Sequence, residues 1–83
     1  MTLVNGAQIR AARALLRMEQ EQLAEAAGIA ATTLRRIESF DDRLGARHDT
    51  VRRIQQVLET AGIEFQDDGR PGVRMRERAP ATA

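Results

Sequence analysis

Apolar residues recur at helical spacing up to Gly62 and at strand spacing beyond it. Ile9, Ala12 and Leu16 fall at i, i+3 and i+7, with Leu15 widening the stripe and Arg10, Arg13 and Arg17 on its flanks. This predicts a first helix from about Gly6 to Arg17. Asn5 and Gln8 match an N-x-x-Q capping box at its start. A second helix, Gln20 to Ala27, turns Leu23, Ala24 and Ala27 inward, and Gly28 is its expected left-handed stop, followed by Ile29. A short third helix runs from about Ala31 to Ser39 with Leu34 and Ile37 as inner residues. Only Gly28-Ile29-Ala30 separates it from the second, so the two must cross steeply, the helix-turn-helix arrangement. After a loop from Phe40 to His48, a fourth helix starts near Asp49 as its cap and ends at Ala61-Gly62. Val51, Ile54, Val57, Leu58 and Ala61 make its stripe. Alternation then takes over in Ile63-Glu64-Phe65-Gln66 and again in Val73-Arg74-Met75-Arg76, with a turn from Asp67 to Gly72 between them. A β-hairpin is predicted, with Ile63, Phe65, Val73 and Met75 on one face. The expected fold is all-α, four helices with a C-terminal β-hairpin.

Composition narrows the function. The chain has 83 residues, enough for one compact domain burying roughly 60–65% of its unfolded surface. Thirteen basic residues stand against twelve acidic ones, and every basic residue is arginine. A net charge of +1 excludes a polycationic binder, so nucleic-acid affinity must come from charge gathered on one face. The absence of cysteine excludes disulfides and thiolate metal sites. One histidine (His48), one serine (Ser39) and no Tyr or Trp leave little material for nucleophilic catalysis. Asp41-Asp42 and Asp67-Asp68 lie near glycines in predicted turns, where aspartate serves the backbone. The expectation is a protein without enzymatic activity, cofactor or metal. No apolar run approaches the ~18 residues of a membrane span, and the N-terminus lacks the pattern of a signal peptide. A soluble cytoplasmic protein is expected.

The run Gln20-Glu21-Gln22-Leu23-Ala24-Glu25-Ala26-Ala27-Gly28-Ile29, followed by Thr33-Leu34-Arg35-Arg36-Ile37-Glu38, resembles the helix-turn-helix of the phage repressor and Cro superfamily, the XRE-type regulators. Their pattern is Q-x-x-L-A-x-x-x-G-[IV], four variable residues, then [IL]-x-x-[IL]-E, and each fixed position is met in register. The resemblance spans Gln8 to Ser39 and extends through the fourth helix. The physics agrees with the pattern. Ala24 is small where two helices approach closely, Gly28 supplies positive φ, and a short helix after a tight turn projects its first side chains toward a major groove.

The resemblance implies double-stranded DNA as partner and assigns roles by position. Gln20 matches a phosphate-binding glutamine at the start of the second helix. Ala31, Thr32 and Arg36 match base-reading positions, and Arg36 is suited to bidentate contact with guanine O6 and N7, worth about 1–3 kcal/mol. Thr33 and Arg35 flank them as backbone contacts. Arg13 and Glu38 match an ion pair between the first and third helices. Two departures stand out: Glu19 and Ala30 occupy positions where Ser or Thr usually caps the second and third helices, a loss of about 1 kcal/mol each. Ala31 also offers no hydrogen-bonding group to a base.

Outside the motif, Arg43 and Arg47 are candidate phosphate contacts, with Asp41-Asp42 pulling the other way, and Arg52-Arg53 reads as a solvated face or an interface. The chain divides into a DNA-binding domain (1–62), the hairpin (63–78) as a dimerisation element and a disordered tail (79–83). A hairpin alone is marginal in water, so it either packs on its own helices or joins a second copy. The expected function is a homodimeric transcriptional repressor of a palindromic operator, with Ile63, Phe65, Val73 and Met75 at the dimer interface. An antitoxin whose tail from Gln66 binds a toxin, and a protein–protein adaptor on the same fold, are the alternatives.

Overall fold

A computed structural model describes residues 3, 5–39, 47–67 and 69–76. The loop 40–46 with Arg43 and Asp41-Asp42, Asp68, and the tail 79–83 lie outside the described residues. Four helices precede a hairpin: α1 (Gly6–Leu16), α2 (Gln20–Ala27), α3 (Ala31–Glu38), α4 (His48–Thr60), β1 (Ile63–Asp67) and β2 (Pro71–Met75). This is the lambda-repressor-like arrangement of helices with a C-terminal antiparallel pair.

The capping box of α1 is formed. Asn5 Oδ1 accepts from the Gln8 backbone N–H at 2.9 Å, and Gln8 Oε1 accepts from the Asn5 N–H at 3.1 Å. Two helices then stop in the same way. At the end of α2, Gly28 takes φ +72°, its N–H reaching the Glu25 carbonyl and that of Ile29 reaching the Ala24 carbonyl. At the end of α1 the same paired bonds run from Arg17 to Ala14 and from Met18 to Arg13, with Arg17 at φ 54°. Both ends are Schellman motifs, one built on glycine and one on arginine. The start of α4 differs from expectation. Arg47, not Asp49, occupies its cap, and Asp49 lies inside the first turn. There its carboxylate faces the positive helix end and stands 3.6 Å from both Arg47 and Arg53, so it supports the helix without capping it.

The hairpin pairs Ile63 with Met75, Phe65 with Val73 and Asp67 with Pro71. The second strand therefore begins two residues earlier than the alternation suggests. The Arg76 N–H donates to the Gly62 carbonyl, and antiparallel alternation then turns the ring nitrogen of Pro71 away from β1. Its missing N–H costs the ladder nothing, which lets proline start the strand.

The core draws Ile9 and Ala12 from α1, Leu23, Ala24 and Ala27 from α2, Leu34 and Ile37 from α3, Ile54 and Leu58 from α4, and Ile63 and Phe65 from β1. Ile63 and Phe65 are 1% and 0% exposed. This corrects their placement at a dimer interface: both side chains are consumed in the chain's own core, because the hairpin lays its apolar face on the helices. Val73 is half-buried against the same core, whereas Met75 remains 39% exposed. Leu15 is a second correction. Instead of widening the α1 stripe it is 46% exposed, since it stands about 90° around the helix from the Ile9–Ala12–Leu16 face.

A buried amide fastens the hairpin. Gln8, 3% exposed, donates from Nε2 to the carbonyl of Gly72 at 3.1 Å and to that of Gln66 at 3.3 Å. The residue that closes the α1 cap thus also holds both strands.

Candidate nucleic-acid interface

The helix-turn-helix consists of α2, the Gly28–Ala30 turn and α3. Leu34, Ile37 and Glu38 are the buried residues of α3, so Thr32, Arg35 and Arg36 share its exposed face at i, i+3 and i+4 spacing. Ala31 and Thr33, on its flanks, are half-buried. Neither Arg35 nor Arg36 has an ion-pair partner among the described residues, so both guanidinium forks remain open to a ligand. They also fall in the last turn of α3, where cations complement the helix dipole. No side chain caps the start of α3: the Leu34 N–H reaches the Ala30 carbonyl and Ala30 offers nothing more.

What seats α3 is its C-terminal residue. Glu38 is 2% exposed, and Arg13 grips its carboxylate with both Nε and Nη2 at 2.7 and 2.8 Å. The pairing expected between α1 and α3 is present. Arg13 also donates Nη1 to the Met18 carbonyl at 3.1 Å, and Arg10 donates to the Glu38 carbonyl. Gln20, at the first position of α2, donates Nε2 to Glu38 Oε1 at 3.0 Å. Its side chain therefore has an internal partner as well as a half-exposed position at the helix start. Glu19 donates its own N–H to Gln22 Oε1 at 2.8 Å, so the first turn of α2 is closed without a hydroxyl cap.

The remaining candidates are more scattered. Arg47 is exposed at the start of α4 beside Asp49. Arg52 and Arg53 are exposed, and Arg53 stands 3.6 Å from Asp49. His48 is an exposed residue in the first turn of α4. Three features escaped the sequence reading: the Gln8 bonds to the strands, the Arg10 bond to the Glu38 carbonyl, and the Gln20 bond to Glu38. The first two link residues far apart in the chain through backbone carbonyls, which carry no residue-type signature. The third had a usable signal, since a polar residue on the buried face of α3 must find partners on neighbouring helices.

The second of two helices joined by a three-residue turn thus carries an exposed basic and hydroxylic face, the arrangement of a helix-turn-helix. Residues 9–39 match a family model described as helix-turn-helix. No curated protein matches the chain. No helix among the described residues is long and apolar enough to cross a membrane.

Proposed function

We propose that the protein is a sequence-specific transcriptional regulator, a homodimeric repressor that places α3 in the major groove of a palindromic operator. The observation that carries this reading is the single exposed face of Thr32, Arg35 and Arg36, backed by a buried row that fixes it to the core. In this reading Arg36 contacts guanine, Thr32 meets a thymine methyl, and Ala31 packs without a hydrogen bond. Thr33, Arg35 and Arg47 contact the backbone, and Gln20 holds a phosphate together with the free N–H groups that start α2. Arg43 has the same proposed role.

Dimerisation rests on the hairpin in a revised form. With Ile63 and Phe65 buried, the contact falls to Met75, the rim of Val73 and the strand edges, which pair with no further strand among the described residues. Two copies joined there would address half-sites about 34–36 Å apart. A tail that binds a toxin has less support: Gln66 and the residues of β2 are already folded and clamped by Gln8.

Selection of bound duplexes from a random pool, followed by the mass of the complex, tests the proposal. A palindromic consensus occupied by two protomers is expected, and Arg36→Ala should flatten preference at one position of each half-site. Selection yielding no consensus, or unchanged specificity in Arg36→Ala, overturns it.

A further inference from the structure

We infer that Glu38 is a positioning residue for DNA binding: by accepting from Gln20 it fixes which end of the Gln20 amide faces a phosphate. The inference rests on the DNA-binding reading above and adds a residue that touches no DNA itself.

A glutamine side chain is nearly symmetric in shape, with an acceptor oxygen on one side and an NH₂ group on the other. At a half-exposed helix start nothing steric distinguishes the two orientations. A phosphate distinguishes them sharply, because it accepts hydrogen bonds and repels a carbonyl oxygen. Some neighbour must therefore select the orientation, and Glu38 is placed to do so. Its carboxylate, held by Arg13 through two bonds at 2.7 and 2.8 Å, has only acceptor oxygens to offer. Gln20 meets it with Nε2 at 3.0 Å, the one orientation that avoids oxygen against oxygen.

One N–H of the amide is then committed to Glu38, and the second is left as a donor beside the free backbone N–H groups of the first turn of α2. Arg13 also balances the carboxylate charge, so a buried acid can stand behind a phosphate site without repelling the anion. The same carboxylate terminates the buried row of α3. Phosphate capture on α2 and the seating of the base-reading helix thus converge on one side chain.

Removing the selector should let the amide turn over. We would measure affinity for the selected duplex and for a scrambled duplex in wild-type protein, Gln20→Met, Glu38→Gln and the double variant, with thermal melting as control. Each single variant is expected to weaken binding by several-fold to about tenfold, the net scale of one ordinary hydrogen bond. The loss should be equal on both duplexes, since a phosphate contact carries no sequence information. The double variant should lose little more than either single one. Glu38→Asp keeps a charge for Arg13 but withdraws the carboxylate from Gln20, and serves if Glu38→Gln does not fold. The two Gln20 NH₂ proton resonances supply a readout independent of affinity: widely split in free wild-type protein and drawn together in the Glu38 variant. Wild-type protein that binds neither duplex overturns the DNA-binding reading and the inference with it. Wild-type binding with losses that add in the double variant, or Gln20 resonances unmoved by the Glu38 substitution, overturns the inference alone.

Discussion

Arg13 holds Glu38 by two parallel N–H···O bonds, Nε to Oε2 at 2.7 Å and Nη2 to Oε1 at 2.8 Å, and so ties the end of α3 to the last turn of α1. The Glu38 side chain is 3% exposed and the Arg13 side chain 19%. Removing only the arginine leaves a desolvated charge with one amide for company. Arg13→Leu should therefore cost about 3 kcal/mol, whereas joint replacement of Arg13 and Glu38 by apolar residues should cost less than that. Urea unfolding followed by far-ultraviolet circular dichroism separates the two outcomes, and equal losses would contradict the account.

The Gln8 amide makes a second prediction. Gln8→Leu keeps the volume but removes the donor to Gln66 and Gly72 and the acceptor for Asn5. A loss of about 2 kcal/mol is expected, because carbonyls at a buried junction are left unsatisfied. Asn5→Ala, which removes only the cap bond to the Gln8 N–H, should cost about 1 kcal/mol. Each variant removes one bond of the capping box, so the larger loss in Gln8→Leu comes chiefly from the strand contacts.

Two helix ends of the same geometry should respond with opposite sign. Gly28→Ala places a Cβ at φ +72°, and although the nearest neighbour, Arg53 Nη1, is 4.0 Å away, the backbone itself is strained. A loss of about 1 kcal/mol follows. Arg17 already carries that strain at φ 54°, so Arg17→Gly should gain up to about 1 kcal/mol. Thermal melts of both variants check the pair.

The uncapped start of α3 offers a gain as well. Ala30 sits at the cap in extended geometry, φ -72° and ψ 145°, with no side-chain bond. Ala30→Ser should add about 1 kcal/mol, a rise of roughly 4–8 °C in Tm for a domain of this size. An unchanged melting temperature would show that the free N–H groups are already satisfied by water.

Much of this fold is written in local pattern. The bounds of α2 follow from Gln20 and Gly28, and the pairing of Phe65 with Val73 follows from alternation on either side of one turn. Both depend on chemistry within a few residues. The errors arose where position around an element or a distant partner decides. Leu15 is apolar, but its angle on α1 leaves it outside the core. Asp49 is a good capping residue, yet the helix starts ahead of it. Ile63 and Phe65 fitted an interface as well as a core, because alternation reveals that a face is apolar and not what covers it. The base-contact candidates were legible through register alone: Thr32 and Arg36 on the exposed face are the complement of Leu34 and Ile37 on the buried one. The Gln20–Glu38 bond was legible only in part: the buried position of Glu38 calls for polar partners, but choosing Gln20 among them needs the packing of α2 against α3 in three dimensions.

The Gln8 bond to Gly72 spans 64 positions of the chain. Its consequence is temporal. On the ribosome α1 is made early, but its cap residue finds its strand partners only when β2 has emerged, and Phe65 seals the core at nearly the same moment. Contacts of such long separation are slow to close. The helices would wait as a loosely packed group, with apolar faces uncovered, until the hairpin arrives. The last-made described element is thus the one that completes the core the helices begin.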